Sequence, residues 1–316
     1  MGHSSLSLRA GAGLGSRAMS DTRPIRLLRF AEGRSVGEKK DVLAVEEPLE
    51  IRVEGRSIAV VMRTPGHDRE LAAGFLLSEG VIKSAKDLFD ITTCVAVTGA
   101  GKGNAVDVAL ARPGAVDLEK LTRHVFTSSS CGICSQTSIA AVLRVRKRLT
   151  DPVRIDAATL LALPAQLAPE QAAFQTTGGL HACALFDRTG KLLALREDVG
   201  RHNALDKLIG WALLEKRTPL RGHVALLSGR ASFEMMQKAH AAGIPVVAAI
   251  SAPSSLAVEF ARASGQTLAG FVRGRSMNLY AGAARVKTPA GRAGGPKAAG
   301  TRPTSIRKGS SGRRRA

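Results

Sequence analysis

At 316 residues and 44% hydrophobic content, the chain holds enough apolar material for one large domain or two ordinary ones. Four cysteines exclude a disulfide-stapled secreted scaffold, and an aromatic content of 3% leaves Ala, Val, Leu and Ile to build an α/β interior. The net charge of +20 is concentrated in the tails: residues 282–316 hold ten Lys or Arg and no acid, while residues 21–281 hold 34 bases against all 26 acids, a balance that suits an anionic ligand and does not require nucleic acid.

Residues 1–20 are rich in Gly, Ser and Ala and lack the apolar run of a signal peptide, so they are expected to be a disordered extension, with Met19 an alternative start. A strand-rich N-terminal domain is expected over 21–130. Its strands are Leu43 to Val45, then Leu49 to Val53 and Ile58 to Met62 around the Glu54-Gly55-Arg56 turn. A helix follows, capped by Asp68, striped by Leu71, Ala72, Phe75 and Leu76, and ended at Gly80. Ile91 to Val97 and Ala105 to Leu110 form a second hairpin.

Residues 131–281 are expected to form the second domain, opening on a Cys131-Gly132-Ile133-Cys134 loop with helices over 136–148 and from Asp156 toward Leu167. Leu180 to Phe186 and Leu192 to Leu195 form a hairpin, followed by a helix over 203–215. Val224 to Leu227 and Val246 to Ile250 are continuous apolar strands, each leading through a polar loop into a helix that ends near Gly243 or Gly265. The strand Thr267 to Val272 comes next. Such alternation implies parallel pairing with helices on both faces, an α/β/α layer domain. The basic tail, 282–316, is expected to lie outside the fold. No run of about 18 apolar residues offers a membrane span, and the protein is expected in the reducing cytoplasm.

The cysteine pair sits in Ser128-Ser129-Ser130-Cys131-Gly132-Ile133-Cys134-Ser135, a polar, bendable loop that keeps the thiols accessible. At the start of a helix, backbone N–H groups would favour the attacking thiolate. Two packed cysteines, half of a zinc site completed by His67, His181 or His202, or dithiol exchange remain open on spacing alone. A zinc nucleotide deaminase would need Pro before the first Cys and a Glu two residues after a His. Ser130 stands in the first position, and no His in the chain is followed by Glu at that spacing.

The loops at Ser228 to Ser232 and Ser251 to Ser255 lie at the C-terminal ends of expected parallel strands, where open α/β sheets bind ligands and helix N-termini face phosphate. Phe271-Val272-Arg273-Gly274-Arg275-Ser276 adds two guanidiniums suited to a pyrophosphate. Helix capping and a solvated turn are the plain alternatives. Arg196-Glu197-Asp198-Val199-Gly200-Arg201-His202-Asn203 is dense in charge, as either a site or a structural ion-pair network would be. Thr176 to His181 reads as a ligand-facing turn or the beginning of a strand.

Taken with Arg63-Thr64-Pro65-Gly66-His67-Asp68, Thr177-Gly178-Gly179-Leu180-His181 and Ser228-Gly229-Arg230-Ala231-Ser232-Phe233-Glu234, these strings resemble the FdhD family of formate dehydrogenase accessory sulfurtransferases over about residues 40 to 280. The resemblance implies a cytidine-deaminase-like α/β domain, a homodimer, and sulfur taken from a cysteine desulfurase as a persulfide. That sulfur would pass to the bis-molybdopterin guanine dinucleotide (bis-MGD) molybdenum cofactor, bound as substrate, for formate dehydrogenase. By position, Cys131 matches the persulfide-bearing cysteine, Cys134 its partner, and Phe271 to Ser276 the cofactor-contacting segment, with Ser228 and Ser251 beside it. No metal ligand set, membrane or nucleic-acid partner is expected. Ser135 departs from the family pattern, where Gly is expected. The basic tail has no counterpart in the family, so a nucleic-acid-binding protein is the competing class, with a zinc-dependent deaminase-like protein behind it.

Overall fold

The computed structural model describes residues 21–94, 103–114 and 147–288. The chain opens with a long antiparallel ribbon, β1 (Thr22–Ala31) and β2 (Arg34–Ala44). Only its last residues were expected as strand. The alternation is masked by charged residues such as Arg26, Arg29, Lys39 and Lys40 on a ribbon that is mostly solvent-exposed. Strands β3 (Glu47–Val53) and β4 (Arg56–Arg63) form the expected hairpin. They join β5 (Leu88–Cys94) and β6 (Ala105–Leu110) in a four-stranded sheet of order β4-β3-β6-β5. Helix α1 (Asp68–Ser78) lies between the two hairpins in sequence. Asp68 does not cap it. His67 occupies the cap position with φ 58°, and both Asp68 oxygens accept from Arg63, at 2.8 and 2.9 Å.

After the short β7 (Ile155–Asp156), helix α2 (Ala157–Leu167) begins at Asp156 as expected, and α3 (Ala172–Thr177) adds a short helix that the sequence did not signal. Gly178 ends α3 at φ 66°, accounting for the Thr177-Gly178-Gly179 string as a helix terminus before a strand. The remaining elements alternate: β8 (His181–Phe186), β9 (Leu192–Asp198), α4 (Arg201–Leu214), β10 (Val224–Leu227), α5 (Phe233–Ala241), β11 (Val246–Ala249), α6 (Ser255–Ser264), β12 (Thr267–Arg273) and β13 (Ser276–Ala281). They build a six-stranded sheet ordered β13-β12-β11-β10-β8-β9, in which β10, β11 and β12 are parallel.

Alternate residues of these strands enter two cores. Cys183, Leu185, Ala225, Leu227, Val247 and Ala249 face α1, α4, α5 and α6, while Ala184, Phe186, Leu226 and Ala248 face Leu160, Leu163 and Leu167 of α2. Burial on both faces is why β10 and β11 read as unbroken apolar runs. The first of these cores also contains Leu49, Ile51 and Val53 of β3, so the two expected domains share one interior. Their junction is the crossing of α1 and α4 at Gly74 and Gly210. A Cβ on Gly74 would stand 1.8 Å from the Asp206 carbonyl oxygen, and one on Gly210 would stand 1.7 Å from that of Glu70, so the helix backbones touch directly.

The fold also runs past the boundary expected at 281. Strand β14 (Val286–Lys287) pairs in parallel with β7, Val286 packs against the second core, and Arg285 bonds to the carbonyls of Asp151 and Gly265. An apolar Val and an anchored Arg draw this stretch of the basic tail into the fold.

Candidate functional site

Three segments meet at the C-terminal edge of the parallel strands. The β10–α5 and β11–α6 loops are joined by an Ala231–Pro253 bridge, with Ala231 N–H donating to the Ala252 carbonyl at 3.2 Å and Ser254 N–H to that of Ala231 at 3.0 Å. The β12–β13 hairpin is tied on where Phe271 N–H donates to the Ser251 carbonyl at 3.1 Å. Gly270 is needed at this contact, since a Cβ there would stand 2.9 Å from Pro253 Cδ. The expected site segments are therefore contiguous.

Their side chains differ in availability. Ser228 Oγ accepts from Ala182 N–H at 2.9 Å, stitching β10 to β8. Val272 is fully buried in the second core, leaving its side chain no path to a ligand. Phe271 has φ 51° within a bulge of the β12–β13 ladder, and Arg273, Gly274, Arg275 and Ser276 form the exposed hairpin tip. The Arg273 guanidinium lies 5.4 Å from the Phe271 ring centroid, a cation–π contact, and neither Arg273 nor Arg275 has a carboxylate partner among the described residues. Ser254 caps α6, accepting from Ala257 N–H at 3.2 Å. Ser232, at the cap position of α5, makes no such bond, and its buried Oγ has no partner among the described residues, so the first N–H groups of α5 lack a side-chain cap there.

A histidine–arginine cluster adjoins this edge. His202 Nε2 lies 2.7 Å from Glu234 Oε2, and a Cβ on Gly229 would stand 3.2 Å from His181 Nδ1. Burial lowers the His181 pKa below the ordinary histidine value, and the charges of Arg201, His202 and Arg230 lower it further. The cationic setting and burial thus favour the uncharged form of His181. The convergence of His181, the Arg201-His202 pair and Glu234 was not visible in the sequence, where they fall in three separate strings.

The rest of the charge-dense strings turn inward. Arg196 donates to Glu70 at 2.8 Å, and His67 Nδ1 lies 3.3 Å from the same carboxylate. Burial alone would raise the Glu70 pKa, but the bonds from Arg196 and His67 outweigh it and hold it at about 2. Lys207 lies 2.7 Å from Asp198 and donates to the Thr64 carbonyl at 2.8 Å, with both charged groups buried. Lys238 joins Asp206, Ser78 and Glu79 under α1. Burial works against the Lys238 charge, yet Asp206 and Glu79 raise its pKa above the usual lysine value. The structural-network alternative thus describes most of Arg196 to Asn203.

Cys183 is buried in the first core, and burial, followed by the charges of Asp206 and Asp198, pushes its thiol well above the ordinary range, so it is no nucleophile. Cys94 ends strand β5. Cys131 and Cys134 lie outside the described residues, as does the helix expected over 136–148 except its last two positions, 147 and 148, which are not helical.

The FdhD/NarQ family matches residues 44–287, most of the chain and every sheet except the β1–β2 ribbon. The chain belongs to that family. A sulfur carrier protein FdhD of Mycolicibacterium paratuberculosis is 50% identical over 273 residues, covering 85% of this chain and 100% of the relative. Its counterpart in Mycobacterium tuberculosis is 51% identical, over 83% of this chain and 97% of the relative, and that of Streptomyces coelicolor is 51% identical over 83% and 94%. A crystal structure from Desulfotalea psychrophila, of a protein assigned as a formate dehydrogenase accessory protein, superposes with a TM-score of 0.67 at 24% identity. It covers 85% of this chain and 100% of that one, and the family fold is common to both. No helix among the described residues is long and apolar enough to cross a membrane.

Proposed function

We propose that this protein is a cytoplasmic sulfur carrier that takes sulfur from a cysteine desulfurase as a Cys131 persulfide and delivers it to the bis-MGD molybdenum cofactor before that cofactor enters formate dehydrogenase. The observation that carries the reading is 50% identity across the full length of a relative named as a sulfur carrier, with Cys131 and Cys134 inside the family match.

The Cys131 thiolate attacks the outer sulfur of the desulfurase persulfide, leaving a desulfurase thiolate and Cys131-S-SH. Attack by the Cys134 thiolate on the Cys131 sulfur then forms a disulfide and expels the outer sulfur as hydrosulfide, the two-electron-reduced form that a molybdenum centre takes as ligand. A cellular dithiol returns the disulfide to the starting thiols.

The cofactor's guanine dinucleotide arms carry pyrophosphates, and the C-terminal sheet edge offers the matching chemistry: Arg273, Arg275 and an α5 N-terminus without a side-chain cap, with the loops of Ser228 and Ser251 alongside. Val272 would contribute backbone only. The three-layer domain is read as deaminase-like and the working unit as a homodimer. In cells lacking their own copy, expression of this chain should restore formate dehydrogenase activity and Cys131→Ala should not. Full restoration by the variant would refute the role given to Cys131.

A further inference from the structure

A second cationic region lies at the opposite, N-terminal edge of the parallel strands. There a cavity of about 260 Å³ opens between residues 148–154, the C-terminal turn of α6 and the chain leaving β13. Arg148, Arg154, Arg262 and Arg285 line it, against one carboxylate, Asp151. That carboxylate is already engaged by backbone N–H groups, of Val153 and of Gly222, each at 2.9 Å.

None of the four guanidiniums reaches a carboxylate within ion-pair distance among the described residues. Among the described residues, Arg148, Arg154 and Arg262 make only long bonds of 3.4 or 3.5 Å to carbonyls. Arg285 is held more firmly, by the Asp151 carbonyl at 3.1 Å and that of Gly265 at 2.8 Å, and its Nη2 has no partner among the described residues. Cations near a helix C-terminus commonly bond the last carbonyls, which accounts for Arg262 and Arg285 on and beside α6. It does not account for Arg148 and Arg154, which a separate segment brings to the same cavity. Like charges gathered in a concavity repel one another unless an anion joins them. The wall is shaped closely as well: a Cβ on Gly265 would stand 2.9 Å from Arg148 Cγ, and one on Gly282 would stand 2.4 Å from Thr267 Oγ1.

We propose that this cavity is a second anion site, taking the phosphate or pyrophosphate group of a small-molecule ligand. Guanidinium forks match phosphate oxygens bidentately, and a half-open concavity of this size fits a compact anion better than a flat acidic protein surface or a nucleic-acid strand. The site goes beyond the proposed nucleotide edge and is separate from it. The seven residues of β12 put the two edges roughly 20 Å apart.

The test uses the full chain carrying Arg273→Ala and Arg275→Ala, so that the other edge is silenced, and titrates it with inorganic pyrophosphate by calorimetry. Saturable one-site binding is expected, weakened at least about tenfold when Arg148→Gln and Arg154→Gln are added, since each lost charge-assisted contact is large on that scale. Because those two side chains make only long carbonyl contacts among the described residues, the thermal midpoint should stay unchanged, which separates lost binding from lost folding. Absence of saturable binding, or equal affinity after the Arg148 and Arg154 changes, overturns the proposal. The assay involves neither Cys131 nor a desulfurase, so its outcome is independent of the sulfur-carrier reading.

Discussion

Beneath α1, α4 and α5, each buried Asp, Lys and Arg lies against an opposite charge: Arg63 with Asp68, Lys207 with Asp198, Lys238 with Asp206. At the two edges of the six-stranded sheet, Arg273 and Arg275 on one side and the four cavity arginines on the other have no carboxylate partner among the described residues. The contrast separates two uses of charge in one chain. Taking a pair of charges out of water is costly, and leaving one of them alone is costlier still, so each inner charge is held by a partner. The bonds of Lys207 to the Thr64 carbonyl, Lys238 to Glu79 and Arg196 to Glu70 then tie the N-terminal part to the C-terminal layers. The edge arginines other than the half-buried, carbonyl-bound Arg285 are exposed and keep N–H groups that a ligand can engage with its own oxygens.

That contrast can be broken most severely at the helix crossing. Gly210→Ala drives a methyl to 1.7 Å from a backbone oxygen that cannot rotate away, and the expected loss is about 3 kcal/mol or more, read as failure to fold or a sharply lowered denaturation midpoint. Lys238→Met comes next. It leaves the buried Asp206 without its cation and should cost about 3 to 5 kcal/mol in chemical denaturation.

The Glu70 pair gives a smaller, pH-dependent effect. Its folded pKa of about 2 lies below the ordinary 4.5, so its stabilisation is fully present above pH 4.5 and drains away as pH falls toward 2. Glu70→Gln removes that titration. The thermal midpoints of wild type and variant should therefore converge on acidification, and a constant gap would show that the pair is not the source. Smallest on the stability scale is the double change Arg273→Ala and Arg275→Ala, expected to lie within about 0.5 kcal/mol of wild type while clearly weakening GDP binding in calorimetry. A large stability loss in that variant would move these arginines into the structural population.

The same contrast explains what the sequence could convey. Strands β10 and β11 stood out because burial on both faces leaves an unbroken apolar run, and α6 because Gly265 ends it at φ 76°. The strand-end loops followed from the topology of parallel sheets. The β1–β2 ribbon was missed because both its faces are largely wet and its apolar positions are interleaved with charges. The Glu70–Arg196 pair spans 126 positions, and nothing local marks either residue as the other's partner, so a dense charged string looked equally like a site or a brace. Side-chain direction was equally hidden. Ser228 turns its hydroxyl to the Ala182 N–H, and Val272 points into the core from the middle of a segment expected to face a ligand.

The central claim concerns Cys131, and the most direct measurement is peptide mass spectrometry of the full chain after incubation with a cysteine desulfurase and cysteine. One added sulfur atom is expected on the peptide holding Cys131, removable by a thiol reductant, absent after Cys131→Ala and retained in the Arg273→Ala, Arg275→Ala variant. An unmodified Cys131 peptide in the wild-type chain, or an equal sulfur load in Cys131→Ala, would contradict it.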